Sequence, residues 1–317
     1  MLSLSDIVNV KVGIGRGVFE APGATVIGGK KPSFNLEILK LFANGEQGFW
    51  YDPNDMGTMF QDAAGTIPVT AVGQPVGLVL DKSKGLVLGS ELVTNGDASN
   101  GTVGWTTTSA TLQNESNKFV LTTSAQYGGA TNLVTLDVTK TYIMTIDVVG
   151  NTMNALLSVV VRPTATTTNY ASVGITSTGK YQLIFRPTDA SSRLIIQHGA
   201  ANPTGSLTFD NVSIKEIAGN HAYQTQSAMR PLLVASPQRL DFDTADDKLI
   251  TNLAAQLTGC TVIRAVPNVG TQILTNQTIP TTYNDNTDHC GLIVINRALT
   301  PSETSAIAAE FNKRAGV

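Results

Sequence analysis

From residue 90 to residue 217 the sequence runs in short segments of alternating apolar and polar side chains, each closed by a cluster of turn formers. Tyr142–Val149, Leu156–Val161, Tyr181–Phe185 and Arg193–Ile196 are examples, and the block ends in the long alternating run Ser206–Ile217. Successive side chains of a strand point to opposite faces, so such runs bury one face only by stacking sheet on sheet. The spacing predicts an antiparallel β-sandwich. Composition agrees: charged residues make up 14% of the chain, against roughly 25% in ordinary globular proteins. Thr and Val, conspicuous here, suit a pleated surface, while Gly and Asn supply the positive φ angles of tight turns.

With 317 residues, the chain is long enough for two sandwich cores and a short arm. Residues 1–33 carry β-like runs broken by Gly13, Gly15, Gly17, Pro22, Gly23, Gly28 and Gly29. So much glycine builds no core of its own, and the segment is expected to be an arm that orders against a partner. Leu36 to Phe42 fits a short helix or a strand equally. Beyond His221 the strands resume, and one helix follows them. Its start is marked by Thr300 at the N-cap, Pro301 at N1 and Glu303 at N3, with Ile307, Ala308, Phe311 and Ala315 on one face. The fold class expected is therefore all-β, with two β-sandwich (jelly-roll) domains, an extended N-terminal arm and a C-terminal helix.

A formal net charge of −3 provides no basic field for nucleic acid or anionic lipid. Met1–Asp6 has no basic n-region, and no stretch reaches the roughly 18 apolar residues of a membrane span. A soluble product without an export signal is expected. Cys260 and Cys290, thirty positions apart, suggest two buried free thiols and neither a disulfide framework nor a zinc site.

Three stretches resemble known families. Trp50-Tyr51-Asp52-Pro53-Asn54-Asp55, with Phe60–Thr66, Val72–Gly77 and Asp81-Lys82-Ser83, resembles a segment of phage and prophage tail-fibre-like structural proteins that opens a concanavalin A-like (laminin G-like) sandwich. In those relatives it runs on into Gly-Asn-His-Ala-x-Gln. Here that motif resumes as Gly219-Asn220-His221-Ala222-Tyr223-Gln224, after the alternating block. The resemblance implies a discontinuous lectin-like domain over 34–89 and 218–317, with 90–217 inserted in a surface loop, where added length is tolerated. Leu240–Asp247 and Ile295–Glu303 are similar to the internal strand and the closing strand and helix of the same fold. Glu91–Asp97, Gly104-Trp105 and Phe209–Ser213 look like a carbohydrate-binding module of the galactose-binding-like jelly-roll type. By that resemblance Asp97 and Asp210 are the candidate ligands of a structural calcium, although two aspartates closing their own turns explain the same residues.

Sugar binding needs an aromatic ring for the apolar face of a pyranose, edged by polar donors. Trp105, Tyr127 and Tyr170 are the candidate platforms, and Arg162, Arg193 and Gln197 the candidate partners; an inward position for Trp105 is the competing account. Catalysis lacks a constellation. The Glu-x-Asp-x-x-Glu strand of related glucanases is absent, and Asp243, Asp246 and Asp247 read as a solvated hairpin. Asn284–Cys290 reads as a hairpin loop, and the histidines His198, His221 and His289 lie far apart with no nucleophile elbow.

The resemblances imply a virion structural protein, either a tail fibre, spike or collar appendage carrying a host-glycan recognition module, or a decoration protein of capsid or tail. A glycan-degrading tail protein is the third alternative. The expected partners are other virion proteins through the N-terminal arm, further copies of the chain with a trimer favoured, and a host-surface glycan. The expected location is the virion.

Overall fold

The computed structural model describes residues 33–154 and 157–317. The arm expected over 1–33 lies, apart from Ser33, outside them. Helix α1 (Phe34–Leu41) comes first. Ile38, Leu41 and Phe42 are all buried, and a helix gathers these three on one face where a strand would divide them.

Strands β1 (Gly48–Tyr51), β2 (Met59–Phe60) and β3 (Leu78–Val79) follow. Ten strands come next: β4 (Trp105–Thr108), β5 (Ala110–Asn114), β6 (Phe119–Thr123), β7 (Gly129–Thr135), β8 (Thr141–Asn151), β9 (Leu157–Pro163), β10 (Ala171–Ile175), β11 (Gly179–Phe185), β12 (Ser191–His198) and β13 (Leu207–Ile217). Then come β14 (Ala222–Tyr223), β15 (Leu232–Val234), β16 (Arg239–Asp241), β17 (Leu249–Asn252), β18 (Leu257–Val266), β19 (Gly270–Ile279), β20 (Thr282–Asp285) and β21 (Leu292–Ile295). Helix α2 (Pro301–Ala315) is last; its Thr300 and Glu303 form the reciprocal capping box and Gly316 ends it at φ 85.

Apart from a two-stranded β15-β16 sheet, the strands make two sandwiches, so the chain is all-β with a C-terminal helix. One has sheets ordered β1-β21-β18-β19 and β2-β3-β14-β17-β20; the other has β10-β9-β12-β7-β4 and β11-β8-β13-β6-β5. Val79 pairs with Ala222 and Leu78 with Tyr223, so strands on either side of the ten-strand block are neighbours in one sheet. We call the first sandwich the framework and the ten strands the insert.

Four apolar cores lie in series. Ile38, Trp50, Ile293, Ile307 and Phe311 fill the space between the helices and the β1-β21-β18-β19 sheet. Phe49, Tyr51, Val79, Leu249, Val262 and Leu292 fill the framework sandwich. Phe60, Leu78, Leu80 and Leu86 then meet Ile143, Ile184 and Ile217 of the insert. Phe119, Met144, Val161, Leu194, Leu207 and Phe209 fill the insert itself. The outer face of β10-β9-β12-β7-β4 thus ends the stack, at the far end from the helices.

The seam between the bodies is hydrogen-bonded. Gly89 N donates to Glu216 O at 2.9 Å, Leu92 N to Ile214 O at 3.0 Å and Ala218 N to Val87 O at 2.9 Å, so the entering and leaving chains pair with each other. At its base the Asp81 carboxylate is fully buried and accepts from Trp50 N, Ser83 N, Ser83 Oγ and Asn220 N, all within 2.9 Å. His221 Nδ1 accepts from Asp81 N at 2.9 Å, and its other ring nitrogen lies 3.0 Å from Ile217 O. Gly219, at φ 141, admits this contact because a Cβ there would stand 3.0 Å from that of Asp81. The stretches around Asp52, Lys82 and Asn220 thereby acquire structural roles. Asp52 joins Lys82 (3.0 Å) to Arg314 of α2 (2.6 Å), and Asn220 Nδ2 holds Gly48 O.

Both cysteines are free and buried. Burial pushes the Cys290 thiol up to about 11.

Candidate functional site

On β12, the central strand of the sheet β10-β9-β12-β7-β4, successive side chains take opposite faces. Leu194 and Ile196 point into the insert core, which by the strand period turns Arg193, Ile195 and Gln197 outward. Register then builds rows across the outer face. Arg162, Arg193 and Leu133 form one row; Val160, Ile195, Thr131 and Thr106 form the next; Ser158, Gln197, Gly129 and Thr108 form the third. Beyond the third row stands Tyr127, 63% exposed, its backbone held at φ 60. Its N–H donates to His198 O at 2.8 Å and Gln126 Nε2 donates to Gly199 O at 2.9 Å, so the loop is tied to the end of β12. Left-handed backbone is costly for a tyrosine; here those bonds hold it.

These rows line a cleft of ≈ 460 Å³ that contains Thr108, Tyr127, Thr131, Arg162, Thr167, Arg193, Ile195 and Gln197. That volume lies in the range of small-ligand sites. Four of the residues selected from the sequence, Tyr127, Arg162, Arg193 and Gln197, are brought together here. Trp105 and Tyr170 do not join them. Trp105 is 9% exposed, its ring 5.2 Å from that of Phe119, and its Nε1 donates to Asn95 O at 3.3 Å. Tyr170 stacks 6.2 Å from Phe185, and its hydroxyl bonds the backbone of Asp189. The threonines and Leu133 were missed by sequence reasoning, though the parity of Arg193-x-Ile195-x-Gln197 fixes their row partners once pairing is known.

A larger groove of ≈ 1070 Å³ lies over the other sheet of the insert, roofed by residues 91–103. Its charges already serve one another: Lys180 bonds Asp147 at 2.7 Å and Lys215 approaches Glu91 at 3.9 Å. Tyr181 there spends its hydroxyl on Ser177.

The roof loop also bears on calcium. Asn95 Nδ2 donates to the carbonyls of Asn100, Gly101 and Val103, and Asn114 Nδ2 donates to Ala98 O. Asp97 Oδ1 accepts from Ser99 N and Oγ, and Asp210 Oδ1 from Asn211 N. Those carbonyls have amide donors and both carboxylates close turns through Oδ1, so the loop is held by its own side chains.

Elsewhere, Asp243 accepts from the amides of Ala245, Asp246 and Asp247, which holds its carboxyl below the usual range and makes the cluster an exposed turn. The stretch expected as a hairpin loop over 284–290 instead turns inward. His289 Nε2 lies 2.8 Å from Asp285 Oδ2, both are fully buried, and Arg264 stands 3.5 Å from Asp285 Oδ1. Cross-strand packing over Leu240 decides this: it exchanges hydrogen bonds with His289.

No family model and no curated protein matches the chain. Among solved structures it is similar to a CBM4 module, at 15% identity over 39% of this chain and 99% of that one, with a TM-score of 0.34. It is similar to the xylan-binding module CBM86 from Roseburia intestinalis, at 14% identity over 40% of this chain and 95% of that one, with a TM-score of 0.30. It is also similar to the enzymatically active domain of tailspike protein 4 of bacteriophage CBA120, at 19% identity over 40% of this chain and 21% of that one, with a TM-score of 0.29. At these identities and TM-scores the likeness carries no argument about what this chain binds.

Proposed function

We propose that the chain recognises saccharides through the outer face of the β10-β9-β12-β7-β4 sheet, without chemical turnover, as part of a phage virion appendage. The observation that carries the binding step is one cleft that brings together an exposed tyrosine ring, two guanidinium groups, a glutamine amide and the hydroxyls of Thr108, Thr131 and Thr167. A ring of this kind accepts the apolar face of a sugar, while fixed polar groups select its hydroxyls. Among the described residues the cleft is lined by no aspartate, glutamate or histidine. Glycoside hydrolysis works through a pair of carboxyl groups, so binding without cleavage suits this lining.

The virion setting is supported by the sequence resemblance to tail-fibre-like proteins. An appendage fits a module whose free face lies at the far end of the stack from the helices. Self-association, with a trimer expected, belongs to the same proposal, and sedimentation of the purified chain tests it: a single monomeric boundary counts against it. Particle imaging separates an appendage, present at a tail end or vertex, from a decoration protein, present as a lattice.

Binding is tested on a glycan array with the purified chain and its Tyr127→Ala variant. The expected result is a signal weakened tenfold or more, about 1.4 kcal/mol, with an unchanged melting temperature. A bare array, or a signal indifferent to both Tyr127→Ala and Gln197→Ala, sinks the proposal.

A further inference from the structure

Arg193 on β12 lies directly opposite Arg162 on β9. Like charges facing each other across a ladder repel, and a carboxylate set between them would offset that repulsion. Among the described residues none is there: neither guanidinium forms an ion pair, and the polar contact of Arg193 is a 3.4 Å bond from Nη2 to Thr166 O. The Nε atoms of both residues are buried and without a hydrogen-bond partner. A buried donor left unpaired is costly, and here the cost is incurred twice, at neighbouring positions, on the floor of an open cleft. Burial, and then the charge of Arg193, push the Arg162 guanidinium below its usual value. The contrast with the groove on the opposite sheet is plain, since its lysines are matched to Asp147 and Glu91.

We infer that the cleft takes an acidic saccharide, whose oxyanion sits between Arg162 and Arg193 while its sugar ring lies towards Tyr127. This deepens the saccharide reading proposed above and rests on it. Guanidinium forks match planar carboxylates and tetrahedral oxyanions through paired N–H donors, and a ligand of that kind supplies the counter-charge that both arginines lack. Leu133, 65% exposed in the same row, offers the adjoining carbon surface. Uronic carboxylates and sulfate esters share this chemistry, and the choice of probes tells them apart.

Isothermal titration of the full chain with four probes tests the inference: trigalacturonate, a neutral trisaccharide, the same trisaccharide carrying a sulfate ester, and inorganic sulfate. We expect at least one acidic saccharide to bind tenfold or more tighter than the neutral one. That preference should vanish in Arg162→Gln and Arg193→Gln, weaken in Arg193→Lys, and persist in Lys180→Gln of the other groove. Each Arg→Gln change removes one of two facing like charges, so these variants should melt at or above the wild-type temperature. Lost binding together with a lowered melting temperature would assign the arginines to the fold and overturn the inference. Neutral and acidic saccharides binding equally, with binding still lost in Tyr127→Ala, overturns the oxyanion assignment and leaves saccharide recognition standing. No binding by any saccharide overturns both, and inorganic sulfate binding as tightly as the ester overturns the sugar contribution.

Discussion

His221 is buried as a neutral ring, accepting from Asp81 N and bonded to Ile217 O. Burial pushes it down to about 4, from an ordinary value near 6.5. A base with a depressed folded-state pKa contributes stability above the unfolded value, and that contribution drains away as pH falls from about 6.5 to about 4. Burial pushes the Asp81 carboxyl up to about 6, a term of opposite sign that is lost as pH rises through that value. Denaturant melts of wild type and His221→Gln share the Asp81 term, and glutamine brings one acceptor and one donor to the site without titrating. Between pH 7 and pH 4 the wild type should lose on the order of 3 kcal/mol relative to the variant; parallel curves would refute the neutral buried ring. At this scale the sequence was half legible. Arg193 and Gln197, four residues apart in one strand, declared a shared face, although Ile195 on that same face is apolar. For Trp105 the sequence offered a platform and an inward position, since Thr106, Thr107 and Thr108 behind it suit either face, and its pairing with the buried Asn132 goes with the inward one.

At the scale of elements, α2 owes its place to more than its apolar stripe. Arg314 reaches Asp52 at 2.6 Å and Glu310 at 3.0 Å, while Lys82 reaches Asp52 at 3.0 Å and Asp55 at 2.7 Å. Asp52 is therefore the shared acceptor of two nearly buried cations, and Asp52→Ala leaves both short of charge. The loss from breaking a buried pair is about 3–5 kcal/mol. Glu310 and Asp55 remain as second partners, so calorimetry should report the lower end, about 3 kcal/mol; a loss below about 1 kcal/mol would show that the two remaining acids suffice. The helix itself was legible from Thr300, Pro301 and Glu303, a local signal whose partners lie within one turn. Helix α1 was not, because Ser33 gives its start no side-chain cap, and Leu36 to Phe42 satisfies period 2 and period 3.6 alike. Alternating strands announced the sandwiches, whereas Asp285 and His289 sat among turn formers whose composition hides an inward pair.

At the scale of the molecule, the insert and the framework share one apolar core of Phe60, Leu78, Leu80, Leu86, Ile143, Ile184 and Ile217. Ile184 is 1% exposed, and Gly65 leaves room for it, since a Cβ there would stand 2.9 Å from that side chain. Ile184→Ala should cost about 2–5 kcal/mol, and because the lost contacts lie between the bodies, a single thermal transition should split into two. One transition that merely moves to lower temperature would place the two bodies in a single cooperative unit that does not depend on this contact. The paired seam at Gly89 and Glu216 has a further consequence. Because the chain enters and leaves side by side, the carrier needs from its cargo only that its entering and leaving segments can pair with each other. Binding preference can then diversify by exchange of a whole cassette, while the surfaces that anchor the carrier stay unaltered.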